Sequence, residues 1–104
     1  MFARTSSWSG SAEALDKWAK HVAGQVSPFV AGLPGNAGAV FLIDRESGSA
    51  LTLTLWQGVE AAEATDKSAE QSRASTEAAT GVELVTRGRY EVVAQVDPPQ
   101  ANEE

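Results

Sequence analysis

Two apolar stretches separated by four turn-forming residues dictate most of what this chain can become. Ala39 to Arg45 and Ala50 to Trp56 flank Glu46-Ser47-Gly48-Ser49, and so short a connection returns the chain antiparallel to itself. Along the second stretch Leu51, Leu53 and Leu55 alternate with Thr52, Thr54 and Trp56. The leucines therefore share one face of a strand, and the threonines and Trp56 share the other.

The flanks complete a pattern around this hairpin. Phe2 to Trp8 mixes β-branched and aromatic residues and stops at Ser9-Gly10, a strand followed by a turn. Ser11 is placed to cap a helix, with Glu13 and Asp16 in its first turns. Leu15, Trp18, Ala19, Val22 and Val26 then recur at helical spacing along one face. Pro28 removes a helical hydrogen bond, so the helix is expected to end before it. Ser27-Pro28 would open a short second segment carrying Phe29, Val30 and Leu33. Gly32 to Gly38 reads as a turn. Val59 to about Thr80 reads as one helix ended by Gly81, with Glu63 and Lys67 paired on its surface. Val82 to Val96 reads as the last strand, bent or bulged at Gly88, with Asp97-Pro98-Pro99 ending it. The order strand, helix, strand, strand, helix, strand predicts a ferredoxin-like βαββαβ sandwich of the α+β class. In it, a four-stranded antiparallel sheet carries two helices on one face. On this reading residues 1–96 are the domain and residues 97–104 a disordered acidic tail.

At 104 residues there is room for one modest core. The chain has no cysteine and one histidine, which excludes disulfides, thiolate metal sites and cysteine nucleophiles, and removes most zinc constellations, so no metal is expected. With 14 acidic against 8 basic residues it lacks the basic stripe of a nucleic-acid binder. Its longest apolar run, Ala37 to Ile43, is too short to span a bilayer, and Met1 to Trp8 lacks the apolar core of a signal peptide. The expectation is a cytoplasmic protein without membrane or nucleic-acid partners.

Two helices cover only one face of such a sheet. Val40-Phe41-Leu42-Ile43 is apolar on both faces, the leucine row presents a second apolar surface, and Tyr90, Val92, Ala94 and Val96 add a third row. A second copy of the chain in a homodimer would cover the open face, the alternative being a partly apolar face left in water. The second helix is unusual in another way: between Glu60 and Gly81 its only apolar side chains are alanines. It either packs very close to the sheet or leaves a gap. A gap bordered by Trp56, with Trp18, Phe29 and Phe41, would be an apolar ligand pocket.

The text Ala50-Leu51-Thr52-Leu53-Thr54-Leu55-Trp56-Gln57, entering a helix at Val59-Glu60-Ala61-Ala62, resembles the antibiotic biosynthesis monooxygenase domain of the dimeric α+β barrel group. Pro28 followed by a glycine turn, and Gly88-Arg89-Tyr90-Glu91-Val92, extend the resemblance over nearly the whole chain. The resemblance implies a homodimer whose sheets face each other, with a pocket in each subunit. It also implies activities ranging from oxygenases that need no cofactor and turn phenols or anthrones into quinones, to haem degradation, to no established reaction. The haem-degrading branch uses a first-strand asparagine, a tryptophan ending the third strand and a second-helix histidine. Trp56 matches the tryptophan. The asparagine position falls at about Ser7, and Thr65 to Glu70 holds no histidine, so a haem ligand of that kind is missing.

The candidate residues each have two readings. His21 is the one available imidazole base, or a surface histidine near the solvent edge of its helix. Trp56 either lines a pocket and takes part in catalysis or fills core volume. Trp18 is a ligand contact, or else core or dimer rim. Thr52 and Thr54 share the Trp56 face and offer hydroxyls, though threonine is an ordinary strand residue. Arg4, Arg87 and Arg89 are anion-holding groups or plain surface charge. Two functions follow: a cofactor-free monooxygenase-like homodimer acting on a small aromatic or polyketide-type compound, or a non-catalytic dimeric ligand-binding or structural module.

Overall fold

The computed structural model describes residues 1–99. Its elements are β1 (Phe2–Ser9), α1 (Ala12–His21), a π-helical turn (Val22–Val26), α2 (Ser27–Ala31), β2 (Asn36–Asp44), β3 (Ser49–Trp56), α3 (Val59–Ala64), α4 (Asp66–Thr80) and β4 (Glu83–Glu91). All pairings are antiparallel and the strand order is β2-β3-β1-β4. This is the ferredoxin-like α+β arrangement. Among the described residues no helix is long and apolar enough to cross a membrane.

Register decides which side chains meet the helices. Arg4 pairs with Thr54, Ser6 with Thr52 and Trp8 with Ala50, and directly opposed residues share a face. Trp8 and Ala50 belong to the core with Leu15, Trp18, Val22 and Val82, against which Val26, Phe41, Ile43 and Leu84 pack. Arg4, Ser6, Thr52, Thr54 and Trp56 therefore look toward the helices. The other face carries the leucine row, together with Val40, Leu42 and Tyr90, of which Val40, Leu42, Leu51 and Tyr90 are exposed in the single chain.

The first helix begins as its sequence dictates: Ser11 Oγ accepts from the Ala14 amide at 3.1 Å. It does not stop before Pro28. The widened turn Val22–Val26 runs straight into α2, where Val26 keeps helical angles (φ −73°, ψ −46°) and no side chain caps the junction. A π turn ahead of a proline gives its ring the room that a regular turn denies, so the helix bulges instead of ending.

The second helix departs the other way and breaks into α3 and α4 at Thr65 (φ −103°, ψ 5°). The Thr65 hydroxyl can donate to the carbonyl of Ala61 or Ala62, each at 3.1 Å, and so offers the backbone an alternative to the next helical turn. The break separates Glu63 from Lys67, and their expected pair is replaced by Glu63 with Arg89 at 4.0 Å. Gly81 closes α4 in the left-handed region (φ 80°), its amide donating to the Glu77 carbonyl at 2.9 Å.

The last strand ends at Glu91, not Val96; Val93 and Val96 stand in water. Its bulge falls at Val85, skipped between the pairs Ser7–Thr86 and Trp8–Leu84, whereas Gly88 pairs in regular register with Thr5. The Tyr90 ring lies over Gly88 so closely that a Cβ there would sit 2.7 Å from Tyr90 Cε2. Residues 92–99 have no regular structure, and the part of the expected tail from residue 100 to 104 lies outside the described residues.

Candidate functional site: an aromatic cavity under a small-residue helix

Of the two consequences open to an alanine-rich helix, the fold contains the gap. Toward the cavity α4 presents Ala69, Ser72, Arg73 and Thr76, of which all but Arg73 are small. The resulting cavity has a volume of about 60 Å³ and opens to solvent, within a depression of about 570 Å³. The sheet supplies its floor through Ser6, Trp8, Phe41, Thr52, Thr54 and Trp56. The α1–α2 rod supplies a wall through Trp18, Val22, Val26, Phe29 and Val30. Phe29, 46 % exposed, stands at the rim.

Six residues singled out by sequence thus border one cavity: Trp18, Phe29, Phe41, Thr52, Thr54 and Trp56. Ser7 does not. It lies on the open face of the sheet, hydrogen-bonded to Thr86 of β4, and its neighbour Ser6 is the serine that faces inward. Trp8 sets this phase, because strand alternation puts Arg4, Ser6 and Trp8 on one side and Ser7 on the other. His21 is also outside, in a shallow surface groove between α1 and α4 with Gln25, Ser68, Gln71 and Ser75. It does not border the cavity.

Trp56 is 1 % exposed. Its indole N–H donates to Thr54 Oγ1 at 2.9 Å, and the Arg4 guanidinium lies 5.3 Å from its ring centroid, within range of a cation–π attraction. Trp8 and Trp18 pack at 6.4 Å between ring centroids, and both of their indole N–H groups are buried without a hydrogen-bond partner among the described residues. Thr52 Oγ1 points to the Ser6 carbonyl at 3.5 Å.

Arg4 binds the site to the helix break. It donates to the Ala62 carbonyl at 2.5 Å, to Thr65 Oγ1 at 3.3 Å and to Asp66 Oδ1 at 2.6 Å. Asp66 opens α4 and is shared with Arg89, the cross-strand neighbour of Arg4. Hydrogen bonding from Arg89, and then from Arg4, holds the Asp66 carboxyl below the usual carboxylate range against the opposing effect of partial burial. Arg73 is the position that sequence reasoning missed. Burial lowers its pKa, as do the nearby charges of Arg87 and Arg4. Among the lining residues only Arg4 and Arg73 are ionisable; none is a carboxylate or a histidine.

No protein-family model and no curated protein matches this sequence. Solved structures do match in three dimensions. A Deinococcus radiodurans protein assigned as an antibiotic biosynthesis monooxygenase superposes with a TM-score of 0.74 at 14 % identity, over 96 % of this chain and 100 % of that one. The monooxygenase from the gene ActVA-Orf6 of Streptomyces coelicolor, in complex with nanaomycin D, gives 0.70 at 12 % identity, over 94 % and 92 %. The Mycobacterium tuberculosis heme-degrader MhuD, with two hemes in its active site, gives 0.63 at 23 % identity, over 93 % and 100 %. The fold of this chain is that of the antibiotic biosynthesis monooxygenase-like proteins.

Proposed function

We propose that the protein is a cofactor-independent, monooxygenase-like enzyme acting on a small aromatic or polyketide-type compound, as a homodimer joined through the open sheet faces. The observation that carries this reading is the aromatic cavity, with Trp56 buried in its floor beneath the Arg4 guanidinium. The chemistry suited to such a pocket converts an electron-rich phenol or anthrone to a quinone. An anthrone methylene becomes C=O, or a phenol gives up its O–H and one ring C–H as that ring carbon becomes a second C=O; one atom of dioxygen enters the product and the other leaves as water. The substrate supplies all four electrons, so no reductant is needed. The protein contributes an apolar aromatic lining and the positive field of Arg4 and Arg73 toward the substrate anion.

A haem-based reaction fits these residues poorly. The α4 stretch Thr65 to Glu70 has no histidine, and the only histidine, His21, lies outside the cavity. The second reading, a binding module without turnover, is favoured by one observation: no lining side chain is a conventional base. Oxygen uptake with anthrone and hydroxynaphthalene substrates separates the two. Turnover with quinone formation, reduced in Trp56→Phe while the protein stays folded, supports the enzyme. Uptake unchanged in Trp56→Phe removes Trp56 from the mechanism. Compounds that bind under air and are never consumed establish the binder.

A further inference from the structure

The aromatic cavity adjoins a second, charged recess of about 280 Å³. Arg4 and Arg73 belong to the walls of both, and Asp66, Glu70, Arg87 and Arg89 complete the recess. Its ion pairing is lopsided. Arg4 and Arg89 both close on Asp66, at 2.6 and 2.5 Å, so one carboxylate occupies two guanidiniums. Arg73 and Arg87 form no ion pair among the described residues, and Arg73 Nε is buried without a hydrogen-bond partner. Register places Arg87 beside Ser6 on the helix-facing side, close enough for its charge to act on Arg73. Two neighbouring guanidiniums with no carboxylate at ion-pair distance among the described residues, Glu70 and Asp66 acting on Arg73 only from farther off, match an anionic oxygen group attached to a flat apolar body.

We propose that Arg73 and Arg87 form an anion subsite continuous with the aromatic cavity, and that the ligand is an aromatic anion, its carboxylate or ionised phenol held between the two guanidiniums. This rests on the reading of the cavity as a ligand pocket and narrows its substrate class. It also answers the missing base. A substrate that arrives as a phenolate needs no side chain to deprotonate it, and the guanidiniums stabilise the charge it brings.

The test is calorimetric titration of the full chain with 2-naphthoate, 2-naphthol and the neutral 2-naphthylmethanol, in wild type, Arg73→Gln and Arg87→Gln. Naphthoate is expected to bind at least about tenfold more tightly than the neutral alcohol. That preference should shrink with added salt. Each variant should lose about tenfold for naphthoate and stay within about twofold for the alcohol. Naphthol affinity that rises with pH as the phenol ionises marks the phenolate as an accepted head group; flat naphthol binding restricts the subsite to carboxylates. Equal binding of acid and alcohol in wild type, or undiminished naphthoate binding in both variants, overturns the anion subsite while leaving the pocket standing. Failure of all three compounds to bind folded protein overturns the pocket and the subsite together. Arg87 is solvent-exposed, so Arg87→Gln carries the test if Arg73→Gln does not fold.

Discussion

Arg4→Met removes the side chain that ties β1 to the break between α3 and α4. The guanidinium donates to the Ala62 carbonyl at 2.5 Å, and a charged donor on a part-buried acceptor contributes roughly 1.5–3 kcal/mol. The Asp66 side chain is 48 % exposed and already held by Arg89, so after solvent screening that pair adds only about 0.5 kcal/mol. The approach to Trp56 adds roughly 0.5–1 kcal/mol. Methionine keeps the apolar packing of the stem. The Ala62 carbonyl retains the Thr65 amide and hydroxyl as donors, which keeps the total toward the low end, about 2–3 kcal/mol. With a urea m-value of roughly 1–3 kcal/mol per molar, the midpoint should fall by about 0.7–3 M. Tryptophan fluorescence at fixed protein concentration reads it, since any dimer makes stability concentration-dependent. Arg4→Lys should recover less than half, because one ammonium cannot reach a carbonyl, a hydroxyl and a carboxylate together. A loss below about 0.5 kcal/mol, or full rescue by lysine, would refute the clamp and leave Thr65 alone to hold the break.

Three further outcomes follow from the geometry. Gly35 sits at φ 81° and a Cβ there would lie 2.4 Å from Ala61 Cβ. Gly35→Ala should therefore cost about 2 kcal/mol or more in thermal unfolding, and a near-neutral effect would mean that α3 shifts freely. The Asp66 carboxyl is held low by Arg89 first and then by Arg4. Its stabilisation is present above the unfolded pKa of about 3.9 and lost as pH falls through the lower folded value. Wild type and Asp66→Asn should thus differ at neutral pH and converge in strong acid; a gap of constant size across that range contradicts the assignment. Leu51→Glu with Leu53→Glu places two charges on the open sheet face, and sedimentation should show monomers with the near-ultraviolet spectrum of the pocket retained. A dimer surviving both charges would mean that another surface joins the copies.

Much of this molecule is legible from residue patterns because its elements are set locally. The four-residue connection fixes the hairpin, Ser11 and the Leu15–Trp18–Val22 stripe fix the first helix, and Gly81 ends the second. The alanine content of the second helix even announces a choice between contact and void. Legibility fails where two local signals compete. Pro28 argues for a helix end, but a π turn relieves its ring. Thr65 carries no strong propensity, and the break there depends on Arg4, distant in sequence, reaching the freed carbonyl. Ser7 against Ser6 is a question of phase that only a buried Trp8 answers. Arg73 stands among exposed polar residues and acquires meaning only when β4 brings Arg87 beside it.

The cavity is also a cost that the rest of the fold carries. The open cavity of about 60 Å³ leaves the side chains that line it short of packing partners. The unpartnered N–H groups of Trp8 and Trp18 add roughly 1–3 kcal/mol each. A leucine in place of Ala69 or Ser72 would reach into the space that these small side chains leave open. Folding alone gives no reason for a small-residue helix above three tryptophans, two of them with donors unmet among the described residues and the third beneath the Arg4 guanidinium. Local choices that work against packing, concentrated on one side of one helix, are what a binding site requires of its scaffold. The opposite face of the sheet shows a different departure, an apolar surface with no helix over it. The two faces thus differ in kind, one apolar and uncovered in the single chain and the other built around a cavity.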